Sequence, residues 1–404
     1  MAARAAIAAR VGEFYEAHPY PPPVDDIAAY RRAWNESRRR AEAALVWPAV
    51  GYRDDRSILV AGCGTMQAVH HAVRWPNAHV VGIDVSANSI DVANALKRKH
   101  GLDNLDLFLL PVERAHELDE QFDYAICTGV LHHLADPVAG LRAVRAAMRP
   151  GGALNVMVYA PYGRAGVYML QEYCRRLGIG WSEPEIRDLA ATLKALPSRH
   201  PLAPLLHASR DFSNPDAMAD ALLHPRDRAY DVGEFFELLE QGGFAFARWV
   251  RQAPYHAACG APASTPHGPA LARLPREEQF AAMELFRGTM ARHTAIAYLR
   301  DDAFAPAAVH FDGDEWLAYV PMLVPGTIAV RERLPAGAAA VLINRNHTDT
   351  DLYLPVTARQ ERLVAAVDAE RSLAMICGET EDRTFARDFF ERLWQWDHVV
   401  FGTL

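Results

Sequence analysis

Cysteine is scarce in this 404-residue chain. The five thiols, Cys63, Cys127, Cys174, Cys259 and Cys377, are odd in number, scattered, and without C-x-x-C spacing, which argues against a disulfide framework and a zinc site. No metal is expected, and the compartment expected is the reducing cytoplasm. Cys63 and Cys127 lie in or beside apolar runs, where a small buried hydrophobe is the usual role of cysteine. The sequence has no run of about eighteen apolar residues, so no transmembrane helix is expected. The Ala- and Arg-rich start, Met1 to Val11, is broken by Arg4 and Arg10, lacks the apolar segment of a secretory leader, and reads as an amphipathic helix. An excess of positive charge is missing too. The formal net charge of −8 argues against general nucleic-acid binding, which needs a basic face to neutralise phosphates. Arg31, Arg32 and Arg38 to Arg40 form the densest basic cluster, but Glu36 and Glu42 interleave it, as on a solvated helix face.

What is present fits a folded chain of two or three domains, with half its residues hydrophobic and 23% charged. The most informative stretch is ILVAGCGTMQ, residues 58–67, followed by VVGIDVS with Asp84 closing its apolar run. An apolar strand that runs into a glycine turn and then a helix brings backbone close to a ligand. An acidic residue at the end of the next strand can accept from ribose hydroxyls. The dinucleotide fingerprint would need a small residue at position 67, and Gln67 stands there. Thr65, Met66 and Gln67 fill the space a pyrophosphate needs, so a ligand with a ribose and no bridging phosphates is favoured. S-adenosylmethionine fits that description.

Short, nearly continuous apolar runs at Ile58–Ala61, His79–Ile83, Leu105–Leu110, Tyr124–Thr128 and Leu154–Tyr159 read as buried parallel strands. Asn88 to His100 reads as a helix with Gly101 as its left-handed cap. Asp136 and Pro137 start another helix, along which Val138, Leu141, Val144 and Met148 recur at helical spacing, and Arg149-Pro150-Gly151-Gly152 stops it. The alternation predicts an α/β, Rossmann-like, doubly wound sheet with ligands at the carboxyl ends of its strands. After Ala160, longer helical patterns interrupted by Pro184, Pro197, Pro201 and Pro204 suggest an inserted acceptor-binding cap. Phe244–Val250 and Thr294–Leu299 read as strands, with a helix around Gln279 to Met290 between them. From about Ala303 a small α+β unit of winged-helix-like order begins, with strands near Ile328–Val330, Ala339–Ile343, Asp351–Leu354 and His398–Phe401, and helices near Ala358–Asp368 and Phe385–Trp394.

The segments AGCGTMQ, VVGIDVS, FDYAICTGVLHHLADP and LRAVRAAMRPGGALNVMVYA, in this order, resemble class I S-adenosylmethionine-dependent methyltransferases. The later YAPYGRAGVYMLQEYCRRLGI, LLHPRDRAY and RQAPY resemble a bacterial group of these enzymes that carries an extra C-terminal domain. The resemblance implies a seven-stranded sheet, S-adenosyl-L-methionine as cofactor, and a cofactor set of Ala61, Gly62, Cys63, Gly64, Asp84, Val85, Val112, Glu113, Gly129 and Val130. It also implies that Phe244–Val250 and Thr294–Leu299 form the antiparallel pair that closes the sheet. Two departures stand out: Met66 where many members have glycine or another small residue, and Ala61 where most carry Asp or Glu. The domains expected are a helical lid over 1–50, a methyltransferase domain over 51–302 with a helical cap around 161–230, and an accessory domain over 303–404.

Methyl transfer rests mainly on holding acceptor and methyl group at near-attack distance, so strong catalytic side chains are optional. His132 and His133 are the acid–base candidates, with loop filling as the plain alternative. Tyr159, Tyr162, Arg164 and Tyr168 follow the fifth strand towards the acceptor. Arg164 would clamp a substrate anion or else pair with Glu172. Tyr15 and Tyr20, in FYEAHPYPPP, belong either to a lid that excludes water or to a strap built on Pro21-Pro22-Pro23. His224, Arg226, Asp227 and Tyr230, and separately Arg251, Tyr255 and His256, form polar clusters within reach of an acceptor pocket. The function expected is transfer of a methyl group to an O or N atom of a small molecule. A peptide or protein acceptor and a non-catalytic ligand-binding regulator are the alternatives, and a nucleotide-dependent oxidoreductase is disfavoured by Gln67. The partner expected is that small-molecule or peptide acceptor, with no membrane partner and a homodimer as a possible state.

Overall fold

The computed structural model describes residues 2–21, 27–48, 50–208, 212, 214–379 and 381–403. Pro22 and Pro23 of the expected proline strap lie outside them. The chain divides into two compact units: residues 1–31, 55–246 and 288–301, and residues 32–54, 247–287 and 302–404. In chain order the first half runs α1 (Ala2–Ala17), α2 (Ile27–Ala33), α3 (Glu36–Val46), β1 (Ser57–Ala61), α4 (Gln67–Arg74), β2 (His79–Asp84), α5 (Ala87–His100), β3 (Leu105–Leu109), β4 (Phe122–Thr128), α6 (Pro137–Ala146) and β5 (Met148–Tyr159). It continues through α7 (Ala165–Leu177), α8 (Glu183–Leu193), α9 (Ala203–Ala208), α10 (Pro215–Leu223), α11 (Val232–Gly242), β6 (Phe244–Trp249), α12 (Gly268–Leu271), α13 (Arg276–Arg287) and β7 (Arg292–Leu299). The remainder is β8 (Val320–Leu323), β9 (Thr327–Val330), β10 (Ala340–Asn344), β11 (Tyr353–Val356), α14 (Ala358–Ala365), α15 (Leu373–Cys377), α16 (Arg383–Gln395) and β12 (Val399–Gly402).

Seven strands form one sheet in the order β3-β2-β1-β4-β5-β7-β6, parallel from β3 through β5 and antiparallel where β7 meets β5. This is the doubly wound, Rossmann-like arrangement. In β1, β2 and β4 nearly every residue is buried, because helices cover both faces, and that is why their sequences are apolar without alternation. The strand order reverses between β1 and β4, which opens a crevice at their carboxyl ends. Gly82 allows close packing there: a Cβ on it would lie 2.7 Å from Ala68 and 2.8 Å from Leu107.

Local chemistry sets the helix ends. The Ser86 hydroxyl accepts from the Ser89 amide to start α5, and Gly101 ends it at φ 60°. Asp136 accepts from the Ala139 amide to start α6, with Pro137 in its first turn. One expectation is corrected: α6 stops at Ala146, and Met148 opens β5 instead of closing the helix. Met148 pairs with Phe122, and a register shift between Phe122 and Tyr124 lets the strand absorb Arg149-Pro150-Gly151-Gly152 as a bulge. Around 161–230 the chain is helical. There α7, α8 and α10 bury Leu170, Ile186, Leu189, Met218 and Leu222 in one apolar cluster with Phe14 of α1.

The second unit is α+β. It holds a three-stranded antiparallel sheet, β11-β10-β9, and a two-stranded one, β12-β8, over a core that includes Trp316, Leu342, Phe389, Phe390 and Phe401. Ala41 and Ala44 of α3 pack with Val320, Met322 and Val400 in a second cluster. Among the described residues no helix is long and apolar enough to cross a membrane.

Candidate active site

The glycine loop leaves β1 and is pinned to the end of β2, since the Gly62 and Cys63 amides both donate to the Ile83 carbonyl at 2.9 Å. Gly62 and Gly64 have φ of 71° and 51°, a region costly for residues with a Cβ. Their bare Cα atoms permit close approach of protein. A Cβ on Gly62 would meet Val130 at 2.3 Å, and one on Gly64 would meet the Tyr20 carbonyl oxygen at 2.3 Å. Gly129, at φ 83°, faces open space, with only Met157 Cε as near as 4.0 Å. The Asp84 carboxylate accepts from the Gly64 amide (2.8 Å) and the Ser86 amide (2.9 Å), one on each oxygen. Burial pushes its pKa up, and these amides oppose that shift. Each oxygen keeps a lone pair, the capacity two ribose hydroxyls require.

Around this loop, Ala61 and Cys63 are buried, Val85 is 41% exposed beside Asp84, and Val112 is buried at the start of a short 3-10 turn. Glu113, in the same turn, has its carboxyl pKa raised by burial. Burial also raises the Cys63 thiol and pushes Cys127 up to about 12, which makes both poor nucleophiles. Met66 is buried at the start of α4. The Gln67 amide clasps the end of β4, donating to the Thr128 carbonyl (3.2 Å) and accepting from its hydroxyl (3.1 Å). Together a buried carboxylate with free lone pairs, an open face at Gly129 and a glycine turn fit an adenosine-type ligand of the S-adenosylmethionine class.

The N-terminal segment is bonded to the glycine loop and to the start of α5. Glu16 accepts from the Ala87 and Asn88 amides at the start of α5, the Tyr15 carbonyl accepts from the Ser86 hydroxyl (3.2 Å), and the Thr65 hydroxyl donates to the Pro21 carbonyl. His18 is held on both ring nitrogens, by Asp216 at 2.9 Å and the Trp181 carbonyl at 2.8 Å. Tyr20 thus sits over the glycine loop, whereas Tyr162 is 41% exposed.

Directly after Val130, the 3-10 turn Leu131–His133 carries the chain into a buried aromatic and ionic cluster. The His132 ring lies 4.2 Å from His133 and 3.9 Å from Tyr159, and His133 lies 3.8 Å from His224, measured between ring centroids. Tyr15 closes the cluster, 5.3 Å from His224, with its hydroxyl donating to Asp220 at 3.0 Å. The Arg164 guanidinium stacks over Tyr159 at 3.5 Å and pairs with Asp227 at 3.1 Å. Glu172, weighed as its partner from sequence, pairs instead with Arg175 and Arg176. Burial drives the His132 and His224 pKa values well down, so both rings are neutral at pH 7, and it drives Tyr15 and Tyr159 well up, so both phenols stay protonated. Both ring nitrogens of His132 lack a hydrogen-bond partner among the described residues, although the residue is fully buried.

The structure therefore brings Tyr15, His132, His133, Tyr159 and Arg164 together, with the expected His224-Arg226-Asp227 cluster beside them. Arg251, Tyr255 and His256 belong to the other unit, where Tyr255 stacks on Trp249. Sequence reasoning missed Asp220. Its only signal was one acid inside the apolar run MADALL of α10. His133, Asp220 and His224 offer three potential metal-ligand atoms within 4.8 Å of one another.

Residues 59–154 match a family model described as a methyltransferase domain. A protein of Synechococcus sp. with no assigned activity is 30% identical over 247 residues, which is 58% of this chain and 58% of that relative. A tRNA U34 carboxymethyltransferase of Desulfotalea psychrophila is 33% identical over 93 residues, 23% of this chain and 29% of its own length. A ubiquinone biosynthesis O-methyltransferase of Aeromonas salmonicida is 31% identical over 101 residues, 25% of this chain and 42% of its own length. The chain spans little more than half the length of the first of these relatives and less of the other two. Among solved structures, PKMT2 from Rickettsia typhi in complex with AdoHcy superposes with a TM-score of 0.60 at 14% identity, covering 93% of this chain and 74% of that one, which shows a shared fold.

Proposed function

We propose, from a chain whose residues 59–154 match a methyltransferase-domain family, that it is a class I enzyme that moves the methyl group of S-adenosylmethionine to an O or N atom of a small-molecule acceptor. The observation that carries this reading is a continuous stretch of chain. After β4 the chain passes through Gly129 and Val130, beside the glycine loop, straight into His132 and His133, which supports a reading in which the cofactor's methionine end would neighbour the polar cluster.

The bound cofactor supplies an electrophilic methyl on sulfur. The chain's own residues do the rest. Asp84 holds the ribose, and the Gly62–Gly64 turn lets backbone approach the methionine part. Tyr159, protonated at neutral pH, is a hydrogen-bond donor that orients an acceptor, and Arg164 fixes it by stacking on its face. An acceptor hydroxyl becomes strongly acidic as its oxygen gains the methyl carbon, so even a weak base suffices to take its proton. Neutral His132, with no partner on either ring nitrogen, fills that role. An unpartnered buried imidazole is costly, and a bound acceptor would relieve the cost. The helix α1 and Tyr20 act as a lid that excludes water.

An enclosed cluster of aromatic rings favours a small acceptor over a peptide, and a partial relative named as an O-methyltransferase supports oxygen as the acceptor atom. Residues 51–302 are read as the catalytic domain, 1–50 as its lid and 303–404 as an accessory domain, with 32–54 and 247–287 falling in the same compact unit as the last of these. Five buried free thiols suit a cytoplasmic setting. The test is calorimetric titration with S-adenosylhomocysteine, with NAD as control, in wild type and Asp84→Ala. Binding of S-adenosylhomocysteine weakened at least about tenfold in the variant supports the reading. Binding of NAD alone, or of neither, overturns it.

A further inference from the structure

Three buried side chains from two distant parts of the chain converge under Tyr15: His133 from the turn after β4, and Asp220 and His224 from α10 and its C-terminal cap. Their geometry is not that of a hydrogen-bonded triad, for no hydrogen bond or ion pair joins Asp220 to either ring and His224 Nε2 is buried without a partner among the described residues. Both rings are instead fixed from behind by a single backbone oxygen. The Arg226 carbonyl lies 2.7 Å from His133 Nδ1 and 2.5 Å from His224 Nδ1. Two lone pairs cannot face each other at such a distance, so Nδ1 carries the proton on each ring. The Arg226 amide is also aimed at His224 Nδ1, at 3.1 Å, and the tautomer follows the shorter, 2.5 Å contact with the carbonyl. This tautomer leaves both Nε2 atoms as unprotonated electron-pair donors. The Asp220 carboxylate completes the set, and its Oδ1 is oriented by the Tyr15 hydroxyl at 3.0 Å.

We propose that His133, Asp220 and His224 form a binding site for a divalent transition metal, zinc or a close relative, with the Arg226 carbonyl and Tyr15 as its outer shell. Two imidazoles and one carboxylate are a nitrogen–oxygen donor set suited to such ions, with a metal about 2.0–2.2 Å from each ligand atom. Backbone carbonyls on Nδ1 and a hydroxyl on the carboxylate hold such ligands in orientation. Three protein ligands leave a coordination position open. Resting on the methyltransferase reading above, that position would take the acceptor's own hydroxyl or thiol group. A metal-bound hydroxyl loses its proton near neutral pH, and the anion then attacks the methyl carbon as the sulfur–carbon bond breaks. The class of acceptor implied is one that can ligate through a phenolic or enolic oxygen, or a thiol, with the released proton passing to the neighbouring His132.

The experiment uses the full chain, stripped with a chelator and titrated calorimetrically with zinc chloride. Cobalt(II) loading is followed by its visible ligand-field bands. One equivalent of zinc per chain, with affinity lowered more than about tenfold in His224→Ala and in Asp220→Asn but unchanged in the surface variant His79→Ala, supports the site. Titration of each variant with S-adenosylhomocysteine reports whether it is folded. No zinc or cobalt binding by wild type, or equal affinity in folded His224→Ala, overturns the proposal and leaves the methyltransferase reading intact. Zinc bound at this site by a protein that fails to bind S-adenosylhomocysteine would overturn that reading and retain the metal site.

Discussion

The hydroxyl of Tyr15 donates to Asp220 at 3.0 Å although 205 residues separate the two in sequence. The same residue accepts from Ser86 through its backbone carbonyl, so one tyrosine ties α1 both to the end of β2 and to the helical cap. A buried carboxylate that loses its donor keeps the full cost of desolvation. Tyr15→Phe should therefore destabilise the protein by about 2 kcal/mol, the scale of a hydrogen bond to a charged group. Hydrogen exchange should show α1 opening more often, while β1 and β4 keep their protection. Equal exchange of α1 in wild type and variant would mean the tie is not what holds that helix.

Gly64 is a second point where the N-terminal segment and the glycine loop meet. Alanine there would carry an unfavourable φ of 51° and set its Cβ 2.3 Å from the Tyr20 carbonyl oxygen. The backbone term alone costs about 1–2 kcal/mol. The clash is with backbone, which cannot swing aside as a side chain would. Gly64→Ala should lower the melting temperature and expose the Thr65 amide, which donates to the Tyr20 carbonyl at 3.4 Å. Unchanged protection of that amide would show that Tyr20 yields without cost.

The parts of this fold legible in the sequence are those decided by neighbours along the chain. β1, β2 and β4 announce themselves because both faces are buried, and α5 and α6 because Ser86, Gly101, Asp136 and Pro137 are local end signals. The glycine turn at Gly62 and Gly64 and the place of Asp84 at the end of β2 were legible for the same reason. What could not be read depends on distant partners. Nothing near Ala44 foretells that it packs with Val400, and nothing near Asp220 foretells Tyr15 or His133. Arg164 had an acid at a plausible helical spacing in Glu172. The fold supplied Asp227, because that carboxylate is buried and needs a cation.

The Arg164–Asp227 pair is shielded on both sides, with side chains 11% and 1% exposed. Breaking a buried ion pair by removing one partner leaves the other charge uncompensated, typically at about 3–5 kcal/mol. Asp227→Asn should thus cost several kcal/mol in urea unfolding and release Arg164 from the face of Tyr159. Replacing both at once, with Met at 164 and Leu at 227, should cost less than the sum of the single changes. Glu172→Ala, which touches only solvent-exposed pairs, should leave the unfolding midpoint unmoved. Additive single and double variants would show that the two charges are not coupled.

His398, in the second unit, is buried with Nε2 unpartnered, and burial lowers its pKa from 6.5 to about 4. A histidine depressed in the folded state stabilises the protein above its unfolded pKa and loses that contribution as pH falls from 6.5 towards 4, because the unfolded chain takes up the proton first. Within that window the loss approaches about 1.4 kcal/mol for each pH unit. His71 of the first unit, also driven well down by burial, acts in the same direction, whereas Asp84, whose pKa is raised, opposes it. The comparison that isolates His398 is therefore between wild type and His398→Gln at pH 7 and pH 5. Urea unfolding of the second unit should weaken on acidification in wild type and weaken less in the variant. Parallel pH profiles would show that His398 takes up its proton in the folded state as readily as in the unfolded one.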